Sequence, residues 1–427
     1  MRLRSNFLKL ALLLFLGTHI TNLQAFQYTS NADTLLLKTE KCKGWGLFGN
    51  FGWFHSLKDI DEVEGLADII PSDLTQVRFA REIVDMNLIA YDNIRNKGMG
   101  DLDKFLATNY PIRIDTAQLP TAIENSIRMI IGKKGGDQVL IVDQNNNNDF
   151  RDDPVRTVVQ DGQSLPAELI PVQFKIYNGK KLVKDSGWVA ISLEEGRLVY
   201  GVAQYFKSKF TIDDQSFEIQ TRSGLPDPRF TFDHPLLSIT AQNGVQKDSL
   251  RLSEKIKKGE YIRLGQSYYQ FIAVSNDGQF ITLIKEKDVS DKVGTQVGFK
   301  AANFHGITTD GDSIAMTDYR NKYLLIVNIT ACWSAKMSYV YYKELLDHYY
   351  SKFEIVAIDE TLGSLEANIK NLQIQGPFII SKNNRMLKRT YRKDFCSRTC
   401  FLVDPGGHIV DKFEISNWKE ALARHFE

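Results

Sequence analysis

Apolar positions along this chain fall into three successive patterns. Between Pro71 and Asn96 they recur at Val77, Ala80, Val84, Leu88 and Tyr91, the stripe of one helix that Pro71 and Ser72 would start. A second helical stretch is predicted over 119–132 (LPTAIENSIRMIIG). Residues 42–56 (CKGWGLFGNFGWFHS) alternate glycine with aromatics without a clean period and read as an irregular loop anchored on a core. From 137 to 290 the pattern shortens into β-type runs such as DQVLIVD (137–143), VQFKIYNGKK (172–181) and RLVYGVAQYF (197–206). Many short strands with no helices between them predict a mostly antiparallel sandwich or barrel. The clearest pair is a hairpin over 268–285, turning at Asn276, Asp277 and Gly278.

From about residue 296 strands and helices alternate. Tyr323 to Ile329 is a near-continuous apolar run, as expected of a strand buried on both faces. A helix over 334–350 would follow, with Met337, Tyr341, Leu345 and Tyr349 on its inner face. Next come a strand over 353–359, a helix over 363–372, a strand over 400–404, a turn at Pro405, Gly406 and Gly407, a strand over 408–414, and a last helix over 417–426. That order predicts a central sheet with helices on both faces.

The N-terminus bears on compartment. Arg2, Arg4 and Lys9 precede the apolar run LALLLFLG (10–17) and the small-residue site at Leu23, Gln24 and Ala25, the layout of a secretory signal peptide. Eight apolar residues fall far short of the ~20 that span a bilayer. No later stretch is a transmembrane candidate. The mature chain is therefore expected to be exported. Without residues 1–25 it holds 50 basic against 52 acidic residues, so no strong field draws nucleic acid or an anionic membrane. Four cysteines in 427 residues do not make a disulfide-built scaffold. The expected division is a signal peptide over 1–25, a mixed helical and loop region over 26–135, a β-rich domain over 136–292 and an α/β domain over 293–427.

One loop carries candidate metal chemistry. DQNNNNDFRDD (143–153) spaces oxygen side chains at Asp143, Asn145, Asn147 and Asp149 and resembles a calcium loop of the EF-hand or dockerin kind, with Phe150 at the inward position. It departs from that pattern at Asn148, where glycine is usual, and at Pro154, where the closing acid stands. An Asn- and Asp-rich turn between strands is the alternative. No other cofactor is required.

The C-terminal third resembles the thioredoxin superfamily, specifically secreted bacterial thioredoxins of the TlpA/ResA type. The resemblance rests on Val297-Gly298 with Ala302-Asn303-Phe304, on Asp310-Gly311, on TDYRNK (317–322), and on FLVDPGGHIV (401–410). It implies a thioredoxin-like fold over 293–427, a periplasmic location, and protein thiols or disulfides as partners. It also implies that Cys332 in ACWSA (331–335) is the attacking cysteine, with Trp333 beside it. Ala335 stands where the resolving cysteine belongs. Arg398 stands where the family carries a cis-proline, so a trans, reshaped substrate loop with Ser397 is expected there.

Two readings follow. In one, Cys332 at a helix N-terminus remains a nucleophile, and Cys396 or Cys400 on the facing loop takes the resolving role. Cys396 and Cys400 could instead pair with each other, leaving Cys332 alone or joined to Cys42. In the other reading the domain is a non-catalytic pseudo-thioredoxin that binds an exported partner. A peroxidase pattern is not met: Thr330 lies two residues before Cys332, not three, and no GxSxG, P-loop or HxxxH motif occurs.

Overall fold

The computed structural model describes residues 27–28, 33–50, 52–98, 100–102, 125–158, 168–177, 181–194, 196–224, 228–230, 235–241, 248–329, 335–349, 351–359, 362–374, 376–381, 384–391 and 398–427. Four antiparallel sheets precede the α/β unit. One, in the order 58–59, 75–83, 126–134, 137–142, 156–157, packs on a second, in the order 170–177, 182–194, 197–202, 53–55. Ile127, Met129, Ile131 and Val142 of the first meet Val172, Phe174, Ile191 and Tyr200 of the second in one core. A further pair of sheets encloses Phe206, Phe217 and Ile219 against Leu37, Phe271, Ile281 and Leu283. The architecture is thus two sandwiches, each with a core filled by side chains from both inner faces.

The hairpin over 267–286 forms as its alternation predicts, pairing Ser267–Val274 with Phe280–Glu286. Its turn needs glycine at 278. The backbone there has φ +74°, and a Cβ would stand 2.4 Å from the Phe206 ring.

Two helix expectations are corrected, and with them the mixed helical segment. Thr75–Ile83 is a strand, and the helix is confined to Met86–Lys97, begun by Asp85 accepting from the Leu88 amide at 3.4 Å. Ser126–Lys134, overlapping the second expected helix, is also a strand. The reason is burial on two faces. Val77 and Phe79 enter the small core beneath residues 60–74, while Ala80 and Val84 enter the sandwich core. A strand covered on both sides lacks clean alternation, so its apolar positions can match helical spacing by coincidence. Residues 119–124 lie outside the described set.

The C-terminal unit holds β1 (Leu324–Asn328), α1 (Ala335–Tyr349), β2 (Glu354–Asp359), α2 (Leu362–Leu372), β3 (Phe378–Ile380), α3 (Arg385–Thr390), β4 (Thr399–Val403), β5 (Ile409–Glu414) and α4 (Trp418–Phe426). The sheet order is β3-β2-β1-β4-β5, with β1, β2 and β3 parallel and β4 and β5 antiparallel to their neighbours. This is a thioredoxin-like sheet. α1 and α4 cover one face, packing Tyr342, Leu345 and Trp418 on Leu325, Val327 and Leu402. Phe304, Leu387 and Tyr391 cover the other, over Ile326, Ile358 and Phe401. The inner stripe of α1 is Tyr339, Tyr342, Leu345, Leu346 and Tyr349, whereas Met337 is 47% exposed. The expected stripe shares Leu345 and Tyr349 with the observed one but is rotated where the helix begins.

The unit is docked on the second sandwich through specific polar contacts. The Gln296 side chain accepts from the Tyr261 amide at 2.8 Å and donates to the Tyr261 carbonyl at 2.5 Å. Lys412 Nζ on β5 reaches Glu260 Oε1 at 3.3 Å, and the Tyr261 and Phe299 rings meet edge to face.

Candidate functional site

All five residues of β1 are buried, as a central strand requires, and its last residue is polar. Asn328, with no exposed surface, donates from Nδ2 to the carbonyl of Tyr391 at 2.8 Å and to that of Thr399 at 3.0 Å. Those two residues bracket the 392–397 segment, which carries Cys396 and Ser397. One amide therefore ties both ends of that segment to the strand leading into 330–334, which carries Cys332. Asn328 Oδ1 is buried with no donor among the described residues. In parallel α/β sheets ligands sit beyond the carboxyl ends of the strands, which is where β1, β2 and the start of α1 converge.

β2 ends there too. Asp359 is fully buried, and the Tyr339 hydroxyl of α1 donates to its Oδ2. The contact pins the first turns of α1 to the end of β2. Sequence reasoning missed Asn328, Tyr339 and Asp359. The available signal was a polar residue closing each of two strands with apolar interiors.

Cys332, Trp333, Cys396 and Ser397 lie outside the described residues. Arg398 is described: its Nη2 stands 3.8 Å from Glu414 Oε2 on β5, and its carbonyl accepts from the Ile415 amide at 3.0 Å. Cys400 is not on the loop surface. It sits inside β4 with no exposure, opposite Val327, in the core between the sheet and α1. Burial first, then the nearby Glu414 charge, pushes its thiol far above the ordinary range. A thiol so placed is protonated and walled off, and reaction needs a thiolate with access. Cys42, half-buried on the Glu40–Lys43 strand, and Cys400 are both free thiols.

The loop at 143–153 is held by its own hydrogen bonds. Asp143 accepts from the Asn147 amide at 3.0 Å and the Asn148 amide at 2.9 Å. Asn145 and Asn147 each accept from the amide two residues on. Phe150 is fully buried, at the inward position. Asp149 is occupied by Arg151, at 2.6 Å, which holds its carboxyl down at about 2. Burial pushes Asp143 up, and burial with the charges of Asp143 and Asp152 pushes Asp153 up to about 6. Among the described residues no three His, Cys, Asp or Glu side chains are grouped to hold a metal ion. A cation would have to displace Arg151 from Asp149.

No family model matches the chain, and no curated protein matches it. Solved structures similar to part of it include the thioredoxin domain of a thiol-disulfide oxidoreductase from Bacteroides vulgatus, 20% identical, covering 31% of this chain and 98% of that one at a TM-score of 0.27. A thiol:disulfide interchange protein from a Bacteroides species is 17% identical, with 32% and 91% covered and a TM-score of 0.27. StoA from Bacillus subtilis is 16% identical, with 28% and 95% covered and a TM-score of 0.23. The fold rests on the strand order and register of the chain itself. No helix among the described residues is long and apolar enough to cross a membrane.

Proposed function

We propose that this chain is an exported, periplasmic thiol–disulfide protein in which Cys332 attacks and Cys396 resolves. The observation that supports it is the double hydrogen bond from Asn328 to Tyr391 and Thr399. Cys332 is four residues beyond Asn328 and Cys396 three before Thr399. At about 3.5 Å per residue either arm is long enough to meet the other, and a disulfide needs Cα atoms only about 5.5–6 Å apart. With Cys42 and Cys400 free, Cys332 and Cys396 are the two cysteines left as candidates for the exchange.

The chemistry balances with one external disulfide and one external dithiol. The Cys332 thiolate attacks a substrate disulfide, forms a mixed disulfide and releases one substrate thiolate. Cys396 then attacks Cys332 Sγ, releases the second thiolate and leaves a Cys332–Cys396 disulfide, which the dithiol reduces by the same exchange. The site needs no cofactor for this.

Non-reducing peptide mapping after alkylation tests the proposal. A Cys332–Cys396 linked peptide, together with insulin reduction that Cys332→Ala abolishes, is the expected result. Both thiols alkylated after mild oxidation, with insulin reduction unchanged in Cys332→Ala, would overturn it. The binding-module reading has its own support in Trp53 and Phe54, 46% and 47% exposed on an edge strand. An inactive protein that still captures an exported partner through that strand would favour it.

A further inference from the structure

Both flanks of the 392–397 segment, which carries Cys396, are tied to the second sandwich as well as to Asn328. On one side the Tyr391 hydroxyl donates to the Ala302 carbonyl. Ala302 ends a strap that leaves the sandwich at Gln296, whose side chain holds both backbone groups of Tyr261. In between, the strap lies along β5. The Gly298 amide donates to the Ile409 carbonyl at 2.8 Å, and the Ile409 amide donates to the Phe299 carbonyl at 2.9 Å.

On the other side Arg398 and Thr399 lie against β5. Thr399 pairs with Glu414 and Phe401 with Lys412 in the antiparallel ladder. The Arg398 guanidinium stands 3.8 Å from the Glu414 carboxylate. Lys412 crosses to the sandwich and meets Glu260 Oε1 at 3.3 Å, while Glu260 Oε2 accepts from the Lys257 amide at 2.7 Å.

We propose that the second sandwich positions the resolving cysteine. Through Glu260 and Lys412 on one flank, and Ala302 and Tyr391 on the other, it sets where Cys396 stands for its attack on Cys332 Sγ. The assignment rests on the thiol–disulfide reading above and gives that reaction positioning residues outside the thioredoxin-like sheet.

The Lys412 side chain is 4% exposed and that of Glu260 15%. Burying two charges costs about what their attraction returns, so such a pair is a poor source of stability. What it enforces is register, because neither buried charge tolerates losing the other. The register here is that of β5 on the sandwich, and β4 follows β5 through their ladder. Resolution is the step that feels it. Attack on an outside disulfide uses the Cys332 thiolate alone, whereas exchange between two cysteines needs both sulfurs aligned. A misplacement of about 1 Å can cost about a hundredfold in rate.

Glutathione disulfide added to the reduced, full mature chain separates the two steps. Attack by Cys332 releases one glutathione and leaves the other on its Sγ; attack by Cys396 on that sulfur then releases the second. Acid quenching and mass spectrometry follow the adduct. Glu260→Gln and Tyr391→Phe are each expected to form it at the parent's rate and to resolve it at least about tenfold more slowly. Glu260→Lys combined with Lys412→Glu re-forms the pair and should recover much of the lost rate. Parent-like resolution in both single variants, or attack and resolution slowed in proportion, would overturn the proposal. Hydrogen exchange of the peptide over 391–403 needs no thiol chemistry and is read on the same proteins. It is expected to quicken in both variants, and exchange equal to the parent's would overturn the proposal as well. A parent that forms no adduct, beside variants whose exchange still quickens, removes the thiol–disulfide reading and leaves the sandwich's hold on the segment. An adduct that every variant resolves normally removes the positioning role alone.

Discussion

Asn328 at the end of β1 and Thr399 at the start of β4 are joined by a buried hydrogen bond of 3.0 Å, between residues 71 apart in the chain. The same amide holds Tyr391, so one side chain fixes both ends of the segment that carries Cys396.

Asn328→Ala is expected to cost about 2–3 kcal/mol, because two buried carbonyls lose their donor at once. Thermal unfolding measures the cost. Glutathione-buffered thiol trapping should show less Cys332–Cys396 disulfide at equal poise. A variant that is destabilised with an unaltered disulfide population would restrict Asn328 to a structural role.

Cys400 should be silent to a water-soluble disulfide reagent in the native state and react only on unfolding. Its folded pKa lies above the ordinary 9.0. Above that pH the unfolded chain releases the proton first, so this group's contribution to stability falls as pH rises past about 9. Cys400→Ala should flatten that alkaline slope and leave thiol–disulfide activity intact. Cys400→Ser should cost about 1–3 kcal/mol, since the core offers a hydroxyl little to bond.

Asp153 titrates in the folded protein at about 6, against an ordinary 3.8. Between those values the folded state holds the proton more firmly than the unfolded one. The contribution of this group is therefore full below pH 3.8 and is lost as pH rises through 6. Asp153→Asn should remove that slope and raise stability at neutral pH by up to about 1 kcal/mol, after allowance for its partial exposure. Urea melts from pH 4 to pH 7 would show it.

Asp143→Ala should destabilise the first sandwich by about 2–3 kcal/mol, because the amides of Asn147 and Asn148 lose their shared acceptor. Melts in millimolar calcium chloride and in chelator test the calcium-loop resemblance on the same preparation. An ion held at this loop would raise the melting temperature of the parent and leave the variant unmoved.

Gly278→Ala should cost at least about 1–3 kcal/mol. The residue needs a left-handed backbone, and the added methyl meets the Phe206 ring. Chemical denaturation would register the loss as an earlier midpoint with an unchanged slope.

The sequence by itself determined what is local. Alternation and turn chemistry marked the Ser267–Glu286 hairpin, and the buried run at Tyr323 to Ile329 marked the central strand. The order of strands and helices after residue 296 was legible because each segment's own period shows which of its faces is covered. The tertiary structure decided everything that depends on what a segment packs against. It turned Thr75–Ile83 and Ser126–Lys134 into strands, because covers on both faces erase a strand's alternation. It aimed Cys400 into the core, which spacing from Cys396 could not reveal. It brought Asn328 to Thr399, and Lys412 to Glu260 across 152 positions. Contacts between groups so far apart in the chain leave no periodic trace in either partner, so only the folded chain brings them together.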